Sequence, residues 1–389
     1  MAFPKGKTRN LRFKNGKFRI MQIADIQDTQ ITSPDTVSFI EAALDREKPD
    51  LVIFTGDQFK GYGVSLLVGN REENYRKGIA NFIAPLAARQ IPFTFVFGNH
   101  DDQMFGIEKE KQLAMYQAYE NCITKAGDES LEGLCNHYVP IYSEDGKTLL
   151  FTLYCLDSLS TTLDGHCAHV TEGQIEWYKT VRDALKEETG DYVPALLFQH
   201  IPVPEMWDVL KEVPKGNKPN AAQGFREHAG KFYDLDERYL VPGNCDFLGE
   251  TPATPAVNSG EYAACCEKGD VLAMVFGHDH NNSFVSQYGN TKLIYTQGCG
   301  FNIYGPKLNR GVRIFDLDEN NPKEFQTHTL LYKDLFSPKD IQNKLKYVLY
   351  SYAPPSVESV MPTLKKLGVA AGAAAVAGLT YGLVKHLKK

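Results

Sequence analysis

No two of the eight cysteines stand at the CxxC spacing of a zinc site, and no apolar stretch follows the basic N-terminus. The first absence argues against a thiolate-held zinc. The second argues against a secretory signal, since MAFPKGKTRNLRFKNGKFRI carries seven basic residues and no h-region. The expectation is therefore a cytoplasmic protein with reduced thiols and no disulfide framework. Basic charge is not in excess either. A net charge of −6 argues against a protein that coats nucleic acid. No internal repeat is present. Adjacent Cys265-Cys266 reads as part of a helix buried before the last motif strand, with a redox pair as the alternative.

What is there suits one large α/β domain: 389 residues, 43% of them hydrophobic. Arg19–Ala24, Leu51–Thr55, Phe93–Phe97, Ala195–Phe198 and Val271–Phe276 are short, nearly continuous apolar runs, the pattern of strands buried on both faces. Leu150–Leu156 is a further strand. Amphipathic stretches at Asp35–Glu47, Glu72–Ala88, Lys109–Ala126 and Glu172–Glu188 predict helices that cover the sheets. Ser33-Pro34-Asp35 and Thr171-Glu172 supply helix starts. Residues 1–17 read as a basic arm and 18–332 as the domain.

The chemistry sits where those strands end. Asp25-Ile26-Gln27, Gly56-Asp57, Gly98-Asn99-His100-Asp101, His200 and Gly277-His278-Asp279-His280 each follow an apolar run. Polar residues placed after buried strands gather in the crevice at the carboxyl ends of the sheet. Singly, Asp57 could cap a helix, Asn99 make a turn and each histidine sit in the core. Together the segments form a ligand set for two cations, which need a bridging group and mixed oxygen and imidazole donors. Asp57 is the expected bridge. Asp25, Gln27 and His280 complete the first site; Asn99, His200 and His278 complete the second. With no cysteine in the set, iron, manganese or zinc is expected.

These motifs resemble the calcineurin-like metallophosphoesterases, whose pattern is D-x-H, GD, GNH[DE], H and GHxH. The likeness covers about residues 18–332. Phe198-Gln199-His200-Ile201-Pro202-Val203-Pro204-Glu205, Val257-Asn258-Ser259-Gly260, Gly277–Asn282 and Gly300-Phe301-Asn302-Ile303-Tyr304-Gly305 look like the single-domain branch similar to purple acid phosphatases. The resemblance implies a four-layer αββα sandwich of two mixed sheets flanked by helices, and hydrolysis of phosphate esters by a metal-activated water. His100 would then protonate the leaving alkoxide, with Asp101 orienting its imidazole; alternatively His100 only binds the phosphate. Two departures from the pattern stand out. Gln27 replaces a histidine, a weaker donor at the first site. Lys60 stands three residues after Asp57, where purple enzymes carry a tyrosinate, so no charge-transfer colour is expected.

Residues 211–260 interrupt the pattern with Gly, Pro and Asn, carry no long apolar run, and are expected to overhang the site and select the substrate. Arg226, His228 and Arg238 there are candidate phosphate or leaving-group contacts, as are Asn281, Asn282 and Tyr304. His166, His169 and Asp157-Ser158 read as either loop residues or site contacts. Residues 333–366 read as a linker and extension. They lead to Leu367–Val384, an uncharged run with flanking lysines and two GxxxG pairs. As a helix it would span about 27 Å, and it reads as either a membrane anchor or a docking helix. The functional expectation is a phosphomonoesterase. A phosphodiesterase would use the same ligands, and a membrane-tethered scaffold with weak or no activity is the alternative from another class.

Overall fold

The computed structural model describes residues 11–162, 165–216, 221–243 and 246–354. Leu367–Val384 lies outside the described residues, and among those described no helix is long and apolar enough to cross a membrane.

The continuous apolar runs become central strands because both of their faces are covered. In Lys17–Ile23, Phe18 and Ile20 point one way and Met21 and Ile23 the other; in Leu51–Thr55, Leu51 and Ile53 oppose Val52 and Phe54 in the same manner. One face of each meets helices and the other meets a second sheet. The five-stranded sheet runs Phe325–Leu331, Gly311–Asp318, Lys17–Ile23, Leu51–Thr55, Phe93–Val96. The eight-stranded sheet runs Leu11–Arg12, His137–Tyr142, Leu149–Cys155, Ala195–Phe198, Val271–Phe276, Thr291–Tyr295, Asn282–Tyr288, Phe247–Leu248. Both mix parallel and antiparallel pairs.

Phe18, Ile20, Leu51, Ile53 and Phe315 from the first sheet meet Phe151, Leu153, Leu196, Phe198 and Val275 from the second. Each such side chain contributes about 1.5–3 kcal/mol by leaving water. Helices Pro34–Glu47, Arg71–Ala88 and Lys109–Gln117 cover the outer face of the five-stranded sheet, and Glu172–Thr189 with Glu261–Cys266 cover the other. The result is the expected αββα sandwich. Thr171 opens its helix with a capping box to Gln174, and Cys265 is buried before the Val271–Phe276 strand as expected.

Three sequence expectations change. The helix from Lys109 ends at Gln117, not near Ala126, because the following residues run beside the Phe93–Val96 strand: Phe93 N donates to Asn121 O at 2.8 Å and Ile123 N to Phe93 O at 2.9 Å. Residues 211–260, expected only to overhang the site, also carry regular structure. Leu210–Val213, Ala222–Gln223 and Phe232–Leu235 form a small antiparallel sheet. At the N-terminus Leu11–Arg12 already pairs with Ile141–Tyr142, and Phe13 is buried between the sheets.

Part of the C-terminal extension packs on the domain. Before helix Lys344–Ser351, Gln342 N donates to Asp35 Oδ1 at 2.9 Å, and Tyr347 packs against the helical side of the core.

Candidate metal centre

Both sheets deliver ligands to one rim. Asp25, Asp57 and Asn99 follow three neighbouring strands of the five-stranded sheet; His200 and His278–His280 follow two adjacent strands of the eight-stranded one. The chain turns sharply after these strands. Asp25, Gln27, Asp57 and His278 all hold left-handed backbone, with φ of 51°, 41°, 50° and 76°. Close approach explains two motif glycines: a Cβ on Gly56 would meet His200 Nδ1 at 2.5 Å, and one on Gly277 would meet Asp25 Oδ2 at 2.7 Å.

Two groups of donor atoms result, Asp57 with His200 and His278, and Asp25 with Asp57 and His280, so Asp57 belongs to both. In the second group named by the sequence, His200 Nδ1 bonds to Thr55 O at 2.9 Å. This turns Nε2 toward Asn99 Oδ1 (3.0 Å), His278 Nδ1 (3.1 Å) and Asp57 Oδ2 (3.4 Å). A carbonyl fixing one imidazole nitrogen so that the other faces the site is the usual support of a metal-ligating histidine. In the first group, His280 Nδ1 is held by Tyr304 O at 2.9 Å, its ring stacks on Tyr304, and Nε2 lies 3.4 Å from Asp25 Oδ1.

Gln27 supplies the test of fit. Its Nε2 donates to Asp57 Oδ2 at 3.3 Å, whereas its Oε1 is buried with no hydrogen-bond partner. A buried carbonyl oxygen left unpaired costs free energy unless something binds it. Asp25, Asp57, His200, His278 and His280 come together as two donor groups, Asn99 joins them through His200, and Gln27 meets them through its bond to Asp57, so an unpaired amide oxygen beside them suits a cation.

In the protein alone the buried charges answer one another. Burial raises the Asp57 carboxyl, but His200, His100 and His278 outweigh it and hold Asp57 below its ordinary range. Burial lowers His200, but Asp57 reverses this and pushes it up to about 10. Burial and then the charge of His200 hold His278 well below its usual value.

His100 stands at the mouth, 28% exposed, with Nε2 3.9 Å from Asp57 Oδ2. The expected role of Asp101 is not seen. Asp101 is buried and turned inward, accepting from Phe59 N at 3.0 Å and Gly98 N at 2.9 Å, so it ties the two motif loops together instead of orienting His100. The partner of His100 Nδ1 is Gln103 Oε1, 2.9 Å away. The short helical turn Asp101–Gln103 explains the exchange, since it carries Asp101 inward and brings Gln103 back beside His100.

Other candidates divide. Tyr304 borders the site through His280 and donates to Glu250 Oε2 at 3.3 Å. Asn282 is fully buried and accepts from Gly249 N and Glu250 N, so it shapes the rim from behind. His228 stacks on Trp207 at 3.8 Å and Arg238 pairs with Asp236; both serve the small sheet. Asp157 receives Lys109 Nζ at 3.0 Å and Leu134 N at 2.9 Å, and Ser158 Oγ receives Ile201 N, which gives both structural roles. Arg226 contacts His166 Nδ1 at 2.7 Å. His169 lines two surface grooves that contain none of the ligands.

Two neighbours of the cluster escaped the sequence reading. Cys167 Sγ lies 3.6 Å from His278 Nε2, and burial followed by the charge of Asp279 pushes its thiol up to about 12. Glu250 accepts from Asn281 N at 2.8 Å, and burial followed by Asp279 raises its carboxyl well above the ordinary value. Cys167 was flanked by two histidines that drew attention to themselves. Glu250 stood in an irregular stretch with no motif.

Comparison with known proteins agrees with the geometry. The family model for calcineurin-like phosphoesterases matches residues 18–282. The chain is 27% identical over 341 residues to "Probable inactive purple acid phosphatase 14" of Arabidopsis thaliana, covering 78% of this chain and 76% of that protein. It is 27% identical over 359 residues to "Phosphatase DCR2" of Saccharomyces cerevisiae, covering 84% of this chain and 55% of that one. Among solved structures, a dimetal phosphatase from Danio rerio aligns with a TM-score of 0.47 at 15% identity, over 80% of this chain and 98% of that one.

Proposed function

Because the chain belongs to the calcineurin-like phosphoesterase family, we propose that it hydrolyses phosphate esters, phosphomonoesters above all. Asp25, Gln27, Asp57 and His280 would hold one cation, and Asp57, Asn99, His200 and His278 the other. The observation that carries this reading is the carboxylate of Asp57, common to both donor groups. The chemistry such a pair of cations supplies is Lewis acidity, which lowers the pKa of an attacking water and neutralises phosphoryl charge.

The chain's own residues do the rest. A water oxygen bonds to phosphorus as the ester P–O bond breaks, protonated His100 gives its Nε2 proton to the departing alkoxide, and the proton shed by the water recharges the imidazole for the next turnover. Gln103 holds Nδ1 of His100, so Nε2 is the nitrogen that faces the cluster. Proton transfer of this kind is worth on the order of 10²–10⁴ in rate.

The test is turnover of a paired aryl phosphomonoester and bis-aryl phosphodiester with added manganese, zinc or iron, beside Asp57→Asn and His100→Ala. Monoester hydrolysis that disappears in Asp57→Asn is expected. Hydrolysis of the diester alone would reassign the chain as a phosphodiesterase. No turnover above Asp57→Asn with any metal would overturn hydrolysis and favour a second reading, a phosphoesterase-fold scaffold. Two observations support that alternative: Gln27 in place of an imidazole, and a relative that is itself named inactive. For either reading, partition of the full chain into detergent tests Leu367–Val384 as an anchor.

A further inference from the structure

Beside the metal cluster two lysines converge on one asparagine. Lys60 is half-buried, with Nζ 3.5 Å from Asn302 O, 5.3 Å from the Tyr62 ring centre and 5.1 Å from that of Tyr350. Lys346 Nζ lies 3.5 Å from Asn302 Oδ1. Bonds of that length are at the outer limit for a hydrogen bond, and an ammonium has three protons to place. Among the described residues neither lysine has a carboxylate within ion-pair distance.

The carboxylate whose charge they feel is Asp28, and its oxygens are already committed. It accepts from Thr29 N at 2.8 Å, Ser33 N at 2.8 Å and Asn302 Nδ2 at 2.7 Å. Among the described residues, two cations and one anion therefore leave a surplus of positive charge where the half-buried Lys60 meets the exposed Lys346. Burial lowers the pKa of Lys60; the charge of Asp28 offsets part of this and the nearby Lys346 lowers it again, so holding the ammonium charged here is costly. A bound anion would relieve that cost.

The corner adjoins the reacting end of the site. The Tyr62 ring meets the His100 ring edge-on, centres 4.9 Å apart, so one tyrosine separates Lys60 from the proposed proton donor. Lys346 and Tyr350 come from helix Lys344–Ser351, beyond the stretch matched by the family. Asp35 anchors that helix by accepting from Gln342 N and Asn343 N.

We propose that Lys60 and Lys346, between Tyr62 and Tyr350, form an anion subsite on the leaving-group side of the metal cluster, and that the preferred substrate is a phosphate ester whose alcohol carries a second anionic group. The statement about the substrate rests on the hydrolytic reading above; the anion subsite does not. The same chemistry is offered by a soluble bisphosphate and by a phosphorylated lipid headgroup.

The experiment is calorimetric binding of propane-1,3-bisphosphonate and of propylphosphonate to the full, metal-loaded chain. The expected result is that the bisphosphonate binds about tenfold tighter or better, the worth of a charged hydrogen bond. Lys346→Ala, on an exposed side chain, and Lys60→Met, which keeps a stem between the tyrosines, should each erase most of that preference without loss of metal. Equal binding of the two ligands by the native chain, or a preference that survives the double substitution, would overturn the subsite. Turnover is then read on the same proteins. A binding preference without turnover sustains the subsite and sinks the hydrolytic reading; turnover without a preference does the reverse. Inositol 1,4-bisphosphate and phosphatidylinositol 4-phosphate in phosphatidylcholine vesicles separate the two sources. Binding weakened by Lys346→Ala on either one supports the subsite and identifies the source, and binding of both that is indifferent to the substitution counts against it.

Discussion

On one side of Asp57, His200 is locked between Thr55 and Asn99 and meets His278 at 3.1 Å, so each donor is held by another. On the other side Asp25 and His280 stand 3.4 Å apart, and Gln27 offers a neutral carbonyl oxygen that no described residue engages. The carboxylate common to both groups thus stands between a braced pocket with two imidazoles and one with a single imidazole, where Tyr304 holds His280 but the amide oxygen of Gln27 is left loose. The difference teaches where metal affinity is set: the braced pocket should fill first, and the looser one should govern whether the chain is active.

The strongest way to break this contrast is to remove what the pockets share. Asp57→Asn should empty both, with turnover falling to background and metal content by plasma emission falling with it. His100→Ala should leave both filled. Its expected cost is on the order of 10²–10⁴ in turnover of alkyl phosphates and less for aryl phosphates, whose leaving groups need no proton; an equal loss on both would deny His100 the acid role. Gln27→His sharpens the contrast from the weak side. It should raise the affinity of the looser pocket by roughly tenfold or more, the range commanded by groups that tune a metal ligand, while the braced pocket is unchanged in a chelator titration. The smallest effect is optical. With Lys60 where a tyrosinate would stand, iron-loaded protein should show no visible charge-transfer band, and a purple sample would contradict the assignment.

The sequence made the strands and the metal ligands legible for one physical reason. Runs such as LVIFT and VLAMVF, covered on both faces, leave little choice of conformation, and the polar residue that ends each run has to emerge at the rim. Orientation was less legible. Asp101 follows His100 directly, yet a single helical turn sends it inward and substitutes Gln103. The small sheet at Leu210–Val213, Ala222–Gln223 and Phe232–Leu235 has strands too short for a period to show. Glu250 and Cys167 reach the cluster through tertiary contacts with Asn281 and His278, which no local pattern announces.

The left-handed turns at Asp25, Gln27, Asp57 and His278 have a further consequence, for heat stability. Residues other than glycine pay in conformational energy for such backbone, about 1–3 kcal/mol where the surroundings enforce it. Four of the expected ligands are thus housed in strained backbone, and relaxing it should make a sturdier protein that does less. Gln27→Gly is the simplest case: in chelator it should melt at a higher temperature than the native chain by scanning calorimetry, while binding metal worse, and a lower melting temperature would show that Gln27 is not strained.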